Sequence, residues 1–540
     1  MEVSAAGLAP GARAPVTAPS GRRLAPSPAV LVAIAGVGAL ALHMLYYARL
    51  IGFDPVDDAY ISFRYAVNGA RGHGPVFNVA ERVEGYTNYL WVALLRGLAA
   101  LGLDVPAWSM VLGALLALAT LALLWPASRR GTPGAAALAA LLLAADGSFA
   151  LWAVSGLETA LFTFLVLAGA VAFVRELERG EPGLSPILFA LAAMARPEGV
   201  LIFAITVCYQ AGYSLASKGR RLQPADLARL LLFLGIYGAY FLWRWGYYGF
   251  LLPNTFYAKV ETVTPDAQID RGLAHLGTFL RVHYGPALPL LMALPFVTPF
   301  VVRLWQKRAQ RLKREPSLPW GMTVRWEWGY YLLLVLVYCA YIVYVGGDWS
   351  VGRFFVPVLP FAYLLAAEGV AQLVLLVRSA CPLRRSALLS LALVLAAGAV
   401  SVAMAYRSSY RGERELYALP YEVRLASQAR RAAGTWLREH APAGSLLLVD
   451  AAGQVPYYSG LRAIDLFGLT DAHLAHQRIT IGRGTPGHEK VDIEYLLGQR
   501  PDYIVIYGRA LDGYSDRYAR VDDWTDDVHY ARFLSIYRRR

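Results

Sequence analysis

Long apolar stretches alternate with short polar segments as far as residue 405, and the chain beyond that point is more polar. Most of these stretches approach the roughly 20 residues that a helix needs to cross the hydrocarbon core of a bilayer. The pattern predicts an α-helical multi-pass membrane protein with about eleven spans, near residues 29–50, 106–127, 133–150, 157–174, 184–196, 199–217, 227–248, 285–303, 329–346, 354–377 and 386–405.

Two apolar stretches fit a full span poorly. The 184–196 stretch is short and ends at Arg196-Pro197, which favours a half-helix or a bend. The stretch from Tyr86 to Leu101 carries Arg96 in its middle, so we expect a helix that lies along the membrane interface there.

The composition also favours a membrane protein over a soluble one. Hydrophobic residues make up 57% of the 540, and the mean hydropathy is +0.42, which is more apolar surface than an ordinary soluble domain can hide. Residues 1–28 are rich in Pro, Ala and Gly, and they predict a disordered cytoplasmic tail before an uncleaved first span. The three cysteines, at 208, 339 and 381, lie in or beside apolar stretches, so neither disulfides nor a thiolate zinc site is expected.

The positive charge lies in the segments that would face the cytoplasm. If residues 1–28 are inside, the inner segments hold 20 Lys and Arg against 7 Asp and Glu, and this difference equals the whole net charge of +13. That distribution follows the positive-inside rule, so the charge reports topology and argues against nucleic acid as a partner. Residues 29–405 are therefore expected to form a transmembrane domain with an outward loop at residues 51–105.

The chain from residue 406 to residue 540 is expected to form a small outward α/β domain. The apolar runs "SLLLVD" (Ser445 to Asp450) and "DYIVIYG" (Asp502 to Gly508) are typical of strands. The stretch "TWLREHAP" around residues 435–442 is typical of a helix.

Two adjacent carboxylates begin the outward loop, in "DPVDDAYISFRYAVNG". On a helix that starts after Pro55, the positions of Asp57, Tyr60, Arg64 and Asn68 share one face, and Asp58 points about 100° away from Asp57. The two carboxylates are therefore expected to differ in role, for example as a general base and as a positioning group. The alternative is that they only cap the start of their own helix.

The rest of the loop concentrates aromatic, amide and charged side chains between Gly72 and Trp91. Rings stack on the C–H faces of sugars while polar groups bind hydroxyls, so the pattern indicates a sugar site. The candidates are Asn78, Arg82, Glu84, Tyr86 and Asn88. An interfacial aromatic belt is the alternative, and it accounts for Trp91 better than for Glu84.

The segment "DDAYISFRYAVNGARGHGPVFNVAERVEGYTNYLW" resembles the first outward loop of the multi-pass GT-C glycosyltransferases, which use polyprenyl-phosphate sugars. Among characterised groups, it resembles the cell-envelope arabinofuranosyltransferases of mycobacterial type. The resemblance continues in order through "SGLETALF", "ARPEG", "PNTFYAKV" and "GGDWSVGRFFVPVLP". The chain departs from that group around Tyr86-Thr87-Asn88, which leaves the donor sugar open.

The resemblance implies a function, a location and a set of residues. It implies transfer of a sugar from a polyprenyl-phosphate donor to an envelope glycan or glycolipid, with inversion, at the outer face of a bacterial inner membrane. Asp57 or Asp58 would be the catalytic base. The donor phosphate would be bound by cations near the outer surface, Arg64, Lys259, Arg353 or Arg196, although Lys259 and Arg353 also suit ordinary span ends. Further substrate contacts would come from Tyr60, Asn254, Tyr257 and Asp348, while Glu158 and Glu198 are weaker candidates.

No cofactor is required by this pattern. A divalent cation shared by the aspartate pair and a lipid phosphate is compatible with it, and a solvated loop is expected at His473 and His476. A transporter or lipid-carrier flippase is the main rival function, because multiple spans with charged residues suit it too. A catalytically inactive glycan-binding scaffold is a third alternative.

Overall fold

The computed structural model describes residues 28–181, 183–216, 224–263, 265–283, 287–311, 325–350, 352–380, 420–507, 515–525 and 533–540, with isolated positions between 392 and 407. The predicted tail, except Pro28, lies outside the described residues. So does the predicted span at 386–405, except for a few isolated positions. The predicted domain boundary at residue 406 also lies outside them and stays a prediction.

Helices fill the described chain as far as Ala380. They are α1 Pro28–Leu50, α2 Asp57–Ala70, α3 Tyr89–Ala100, α4 Val105–Ala127, α5 Ala135–Ala145, α6 Gly147–Ala153, α7 Thr159–Arg179, α8 Ser185–Ala195, α9 Glu198–Ala216, α10 Pro224–Tyr248, α11 Asn254–Lys259, α12 Asp266–His283, α13 Ala287–Arg311, α14 Trp326–Tyr344, and a 3-10 helix Arg353–Val358 that continues into α15 Leu359–Ala380.

Eight helical segments in the described chain are long and apolar enough to cross a membrane. They are α1, α4, α7, α9, α10, α13, α14, and the segment formed by the 3-10 helix with α15. The stretch predicted at 133–150 is a broken pair, α5 and α6, bent by 67°. The side chain of Asp146 caps α6 at this bend by accepting the N–H of Phe149 at 2.8 Å. The total is thus eight, or nine with the bent pair, and the predicted eleven is not confirmed.

Both doubtful stretches form short helices. The stretch at 184–196 is α8, which has 11 residues and ends where Arg196 turns to an extended conformation before Pro197. The predicted interfacial helix is α3, with 12 residues and with Trp91 and Leu95 buried. Its position along a membrane surface stays a prediction.

The C-terminal region is an α/β domain, as predicted. A long helix, α16 Pro420–His440, precedes a five-stranded sheet of order β2-β1-β3-β5-β4. The predicted strands are β1 Leu446–Val449 and β3 Tyr503–Tyr507. The remaining elements are α17 Gln454–Ser459, β2 Arg462–Asp465, α18 Ala472–Ala475, α19 Ile493–Gly498, β4 Tyr518–Thr525 and β5 Phe533–Arg539.

One face of this sheet packs against the helical domain. Successive strand residues point to opposite faces, so Leu447 and Val449 join the large apolar core that also contains Ile51 and Ala59, whereas Leu448 joins a separate small core. Strands β2, β1 and β3 are parallel, and their carboxyl ends form one edge. That edge faces the amino end of α2, because Asp57 hydrogen-bonds the start of α17, shortly after β1.

Candidate active site

A cavity of about 480 Å³ lies where the amino end of α2 meets the carboxyl ends of the parallel strands. This volume is within the range of small-molecule sites, roughly 300–1,000 Å³. Three residues predicted from the sequence line the cavity: Asp57, Asp58 and Lys259. Its other polar and aromatic lining comes from Trp349, Arg430, Asp450, Asp465, Phe467, Thr485, His488 and Tyr507.

Asp57 is bound to the C-terminal domain. Its Oδ1 accepts the N–H of Gln454 at 2.8 Å, and its Oδ2 accepts the N–H of Gly453 at 3.1 Å. Arg430 Nε lies 3.8 Å from Oδ1. Burial raises the pKa of Asp57 above its ordinary value, although Arg430 and the two amides oppose that shift. The carboxylate therefore caps the amino end of α17, a helix from the other domain.

Asp58 faces the cavity instead. Its side chain is 32% exposed, against 11% for Asp57, because successive helical residues point about 100° apart. Trp349 Nε1 donates to its Oδ2 at 3.2 Å, and Arg353 Nη1 lies 3.5 Å from the same oxygen. Burial would raise the pKa of Asp58, but Lys259 and Arg353 outweigh it. The pKa therefore lies below its ordinary value, and the carboxylate is ionised at neutral pH.

The two aspartates thus have different environments. Both lie in the first turn of α2, where the helix dipole favours negative charge, but neither is its N-cap. The N-cap of α2 is Val56, with no side-chain hydrogen bond to the cap. In the part of the chain that the structure describes, the hydrogen bonds to both carboxylates come from other segments.

Arg353 and Lys259 place positive charge beside Asp58. Arg353 begins the 3-10 helix, and its Nε lies 2.7 Å from Oδ2 of Asp348. Its guanidinium also lies over the ring of Trp152, 5.5 Å from the ring centre. Asp348 therefore orients Arg353 without lining the cavity itself. Lys259 is the last residue of α11 and does line it.

The opposite wall comes from the C-terminal domain. Arg430 projects from α16, and its guanidinium lies over the ring of Tyr507, 5.2 Å from the ring centre. Asp450 follows β1 and accepts the N–H of Tyr507 at 2.7 Å. Burial raises the pKa of Asp450, and this amide and Arg430 only partly offset it. Asp465 also lines the cavity, but its carboxylate is buried and accepts the N–H groups of its own loop.

Arg64 and Asn78 hold the C-terminal domain from the first outward loop. Arg64 donates to the carbonyls of Pro456 and Leu461, the latter at 2.7 Å. Asn78 accepts the N–H of Ala463 at 3.0 Å and donates to the carbonyl of the same residue at 2.8 Å, much as a neighbouring strand would. Burial lowers the pKa of Arg64 to about 10, so it stays charged at neutral pH. The structure places both residues in a domain interface and outside the cavity lining.

Three more predicted residues lie in this interface: Tyr60, Asn254 and Tyr257. The hydroxyl of Tyr60 lies 3.0 Å from that of Tyr458. Asn254 Nδ2 donates to three backbone carbonyls of the loop at 468–471. The ring of Tyr257 stacks on His476, with 4.2 Å between centroids. Five residues that were predicted to contact the donor or the acceptor therefore lie in the domain interface: Tyr60, Arg64, Asn78, Asn254 and Tyr257.

The second half of the predicted loop contacts α10. Glu84 forms a buried ion pair with Arg244 at 2.8 Å, and the hydroxyl of Tyr86 lies 3.0 Å from that of Tyr248. Arg82 is exposed and lies over the ring of a tyrosine on α10, 4.7 Å from its centre. The cavity lining includes none of the three predicted residues in this group.

Asn88 and Arg196 belong to a buried polar network. Asn88 Nδ2 donates to Glu158 at 2.8 Å, and Arg196 lies 2.9 Å from Glu158 and 2.7 Å from Glu198. Arg196 is therefore paired with two carboxylates, and it is not among the residues that line the cavity. Arg196 and Arg64 were both predicted to contact the donor phosphate. That prediction stays untested, but the placement of the two residues does not favour it.

Sequence reasoning missed the C-terminal wall. Asp450 ends the strand-like run "SLLLVD", and a carboxylate at the carboxyl end of a buried strand is a signal that was present in the sequence. Arg430 and His488 carry no comparable signal, because each reaches the cavity only through the packing of one domain on the other. Trp349 is adjacent to the predicted Asp348.

A metal site is not evident among the described residues, where no group of three or more His, Cys, Asp or Glu side chains is placed to hold an ion. The divalent cation remains a prediction. His473 and His476 contact aromatic rings, Tyr495 and Tyr257.

Comparison with known proteins adds sequence relatives for part of the chain. The chain is 30% identical over 354 residues to a terminal beta-(1->2)-arabinofuranosyltransferase of Mycobacterium tuberculosis, covering 59% of the chain and 52% of that protein. It is 30% identical over 353 residues to the protein of the same name from Corynebacterium glutamicum, covering 58% and 47%. The chain thus spans about half the length of the curated relatives it matches. The resemblance expected from the sequence is confirmed.

The C-terminal domain and the fold have separate matches. Residues 417–537 match a family model described as domain of unknown function DUF8728. The structure is similar to ArnT from Cupriavidus metallidurans in the apo state, with a TM-score of 0.55 at 13% identity over 94% of this chain and 98% of that one. It is also similar to ArnT bound to undecaprenyl phosphate, with a TM-score of 0.54 at 14% identity over 93% and 97%. The chain therefore shares the fold of ArnT, and eight helical segments in its described part are long and apolar enough to cross a membrane.

Proposed function

We propose that the protein is a membrane glycosyltransferase that moves a sugar, arabinofuranose, from a polyprenyl-phosphate donor to a cell-envelope glycan or glycolipid. Three findings support this proposal. The curated relatives are named arabinofuranosyltransferases, the fold is shared with a protein that binds undecaprenyl phosphate, and a cavity with paired carboxylates and cations lies beside the helical domain.

The observation that carries the proposal is the orientation of Asp58. It is the more exposed of the two aspartates, it is ionised at neutral pH, and it faces the cavity beside two cations. Asp57 has the higher pKa, but both of its oxygens accept backbone amides and its side chain is less exposed, so an acceptor hydroxyl reaches Asp58 more readily. We therefore assign the general base to Asp58 and a positioning role to Asp57.

The reaction would be a single inverting displacement. Asp58 takes the proton from an acceptor hydroxyl as its oxygen attacks the anomeric carbon of the donor. The bond from that carbon to the phosphate oxygen breaks, and polyprenyl phosphate leaves with the electron pair. Lys259 and Arg353 would stabilise the negative charge on the departing phosphate. The step therefore needs no further reactant.

The charge distribution of the chain supports the orientation we propose for this site. The basic segments lie on the predicted inner side, which supports an outward position for the cavity and the C-terminal domain. A bacterial inner membrane is what the resemblance to the arabinofuranosyltransferases implies. A donor carried by a polyprenyl lipid in that leaflet would reach the cavity from the bilayer.

Transfer by the purified full-length protein in nanodiscs tests this proposal. The donors would be a panel of polyprenyl-phosphate sugars that includes arabinofuranose, and the acceptor would be an arabinofuranosyl oligosaccharide. We expect Asp58→Asn to lower kcat by about 10²–10⁴-fold, the usual contribution of a general base. Asp57→Asn keeps a carbonyl oxygen for one amide of α17, so kcat should fall much less in this variant.

Two results would overturn the assignment. If Asp57→Asn abolishes transfer and Asp58→Asn does not, the base is Asp57. If the wild type transfers none of the sugars but moves a fluorescent polyprenyl-phosphate sugar between leaflets, the protein is a flippase.

A further inference from the structure

The two walls of the cavity carry different sets of charged groups. On the wall formed by the helical domain, Lys259 and Arg353 lie beside Asp58, and Arg353 also pairs with Asp348. On the wall formed by the C-terminal domain, the guanidinium of Arg430 interacts with the carboxylate of Asp450, and it lies 3.8 Å from Asp57 of α2. The first wall supplies two cations for an anion such as a lipid phosphate, whereas the second supplies one cation and one carboxylate, which suits a neutral ligand rich in hydroxyls.

The second wall also has unused hydrogen-bonding capacity. Arg430 Nε is buried and makes no hydrogen bond among the described residues, because its nearest carboxylate oxygen is 3.8 Å away. In the same part of the structure, Tyr507 N–H is the one amide of another residue that donates to the side chain of Asp450. A carboxylate can accept several hydrogen bonds, so Asp450 can accept more.

An aromatic ring completes this wall. Phe467 follows β2, lines the cavity, and packs edge-on against His488 with 4.5 Å between ring centroids. A ring beside a carboxylate and a guanidinium is the combination that binds a sugar, because the ring contacts C–H groups while the polar groups bind hydroxyls.

We propose that Asp450 and Arg430 form the acceptor-binding subsite of this cavity. Asp450 accepts hydrogen bonds from hydroxyls of a neutral glycan acceptor, and Arg430 donates to its oxygen atoms. The inference rests on the proposed function, since it takes the ligand to be a glycan. It adds that the C-terminal domain supplies the acceptor half of the site and that the carboxylate of Asp450 selects against acidic sugars.

Acceptor kinetics and direct binding both test this subsite. The variant is Asp450→Asn, which keeps an oxygen for the amide of Tyr507 but removes the charge. The matched control is Asp502→Asn at the opposite end of the parallel strands, where Asp502 accepts the N–H of Leu446 at 2.9 Å and pairs with Arg539. We expect Asp450→Asn to raise the acceptor KM about tenfold, the effect of losing one hydrogen bond to a charged group. The donor KM of Asp450→Asn should stay within about twofold of the wild type, and so should the acceptor KM of Asp502→Asn.

Charge selection gives a second readout. With an oligosaccharide whose terminal sugar is a uronic acid, the wild type should bind poorly, and Asp450→Asn should bind better than the wild type, because a like charge has been removed. A general loss of folding cannot produce this gain.

A direct binding measurement separates this inference from the proposed function. The ligand is a neutral arabinofuranosyl pentasaccharide, and saturation-transfer NMR on the same nanodiscs detects its binding. If no sugar is transferred but the pentasaccharide binds and Asp450→Asn weakens binding about tenfold, the subsite stands and the proposed transfer fails. The subsite is overturned if the wild type does not bind the pentasaccharide, if both variants bind it like the wild type, or if Asp450→Asn raises the donor KM instead.

Discussion

Asp57 and Arg64, on one face of α2, bind opposite ends of the same short helix, α17. The carboxylate of Asp57 accepts the amides at the start of Gln454–Ser459, and the guanidinium of Arg64 donates to the carbonyl of Pro456 and to that of Leu461 just beyond it. Each charge matches the partial charge at its end of the helix. This face of α2 therefore contacts the C-terminal domain. Asp58 is the next residue along the helix and points in a different direction, so it lines the cavity.

Arg64→Met is expected to loosen this docking. It leaves the carbonyls of Pro456 and Leu461 without a buried cation, at a cost of about 2–4 kcal/mol. Hydrogen exchange should therefore become at least about tenfold faster in α17 and unchanged in α7. The control is Arg82→Gln, since Arg82 is exposed on the same loop. Equal exchange in both variants would refute the docking role.

Gly453→Ala is expected to separate α17 from α2 by a steric route. A Cβ on Gly453 would lie 1.9 Å from the carbonyl oxygen of Asp57, a backbone atom that cannot move alone. We expect the amides of α17 to lose protection from exchange and sugar transfer to fall about tenfold or more, because the cavity wall shifts. In Gly498→Ala, whose Cβ would meet nothing within 4 Å, both should stay at wild-type levels. Normal protection in Gly453→Ala would contradict this account.

Lys259→Gln is expected to change the pH profile of transfer. Lys259 lowers the pKa of Asp58, so its removal raises that pKa, and a base acts only while it is ionised. The acid limb of kcat/KM should therefore move to higher pH in the variant, and the donor KM should rise. Arg483→Gln, at an exposed position in the neighbouring loop, should keep the wild-type profile. An unmoved acid limb in Lys259→Gln would argue against Asp58 as the base.

Asp450→Asn is expected to stabilise the protein at neutral pH while it weakens acceptor binding. Burial raises the pKa of Asp450 in the folded state, so the protonated form favours folding, and that contribution is lost as the pH rises through the raised pKa. Asparagine resembles the protonated form, and the apparent melting temperature at pH 7 should rise by about 1–3 °C. The increase should shrink as the pH falls through the raised pKa, because wild-type Asp450 then becomes protonated itself. A lower melting temperature at neutral and at acidic pH would contradict the assignment of a carboxylate that is destabilising when ionised and kept for function.

Much of the fold could be predicted from the sequence. Spans, short helices and strands are properties of local patterns: a run of some twenty apolar residues forms a helix in lipid wherever it lies, and the run from Leu446 to Val449 forms a strand because its neighbours in sequence favour one. The different directions of Asp57 and Asp58 also follow from helical geometry alone. Asp58 and Lys259 could therefore be predicted as residues of the site, once their motifs were recognised.

The use of each polar side chain depended on the tertiary structure. Arg64, Asn78 and Asn254 have the residue types of a sugar site, yet each binds backbone groups of a domain that lies roughly two hundred residues or more further along the chain. Arg430 and Asp450 reach the cavity by the same docking. The sequence by itself determined the membrane-spanning helices, the α/β domain and the aspartate pair, because those depend on neighbours within a few positions. Only the packing of the two domains decided which polar groups contact other protein groups and which line the cavity. Those contacts join segments that lie far apart in the sequence, so no local pattern predicts them.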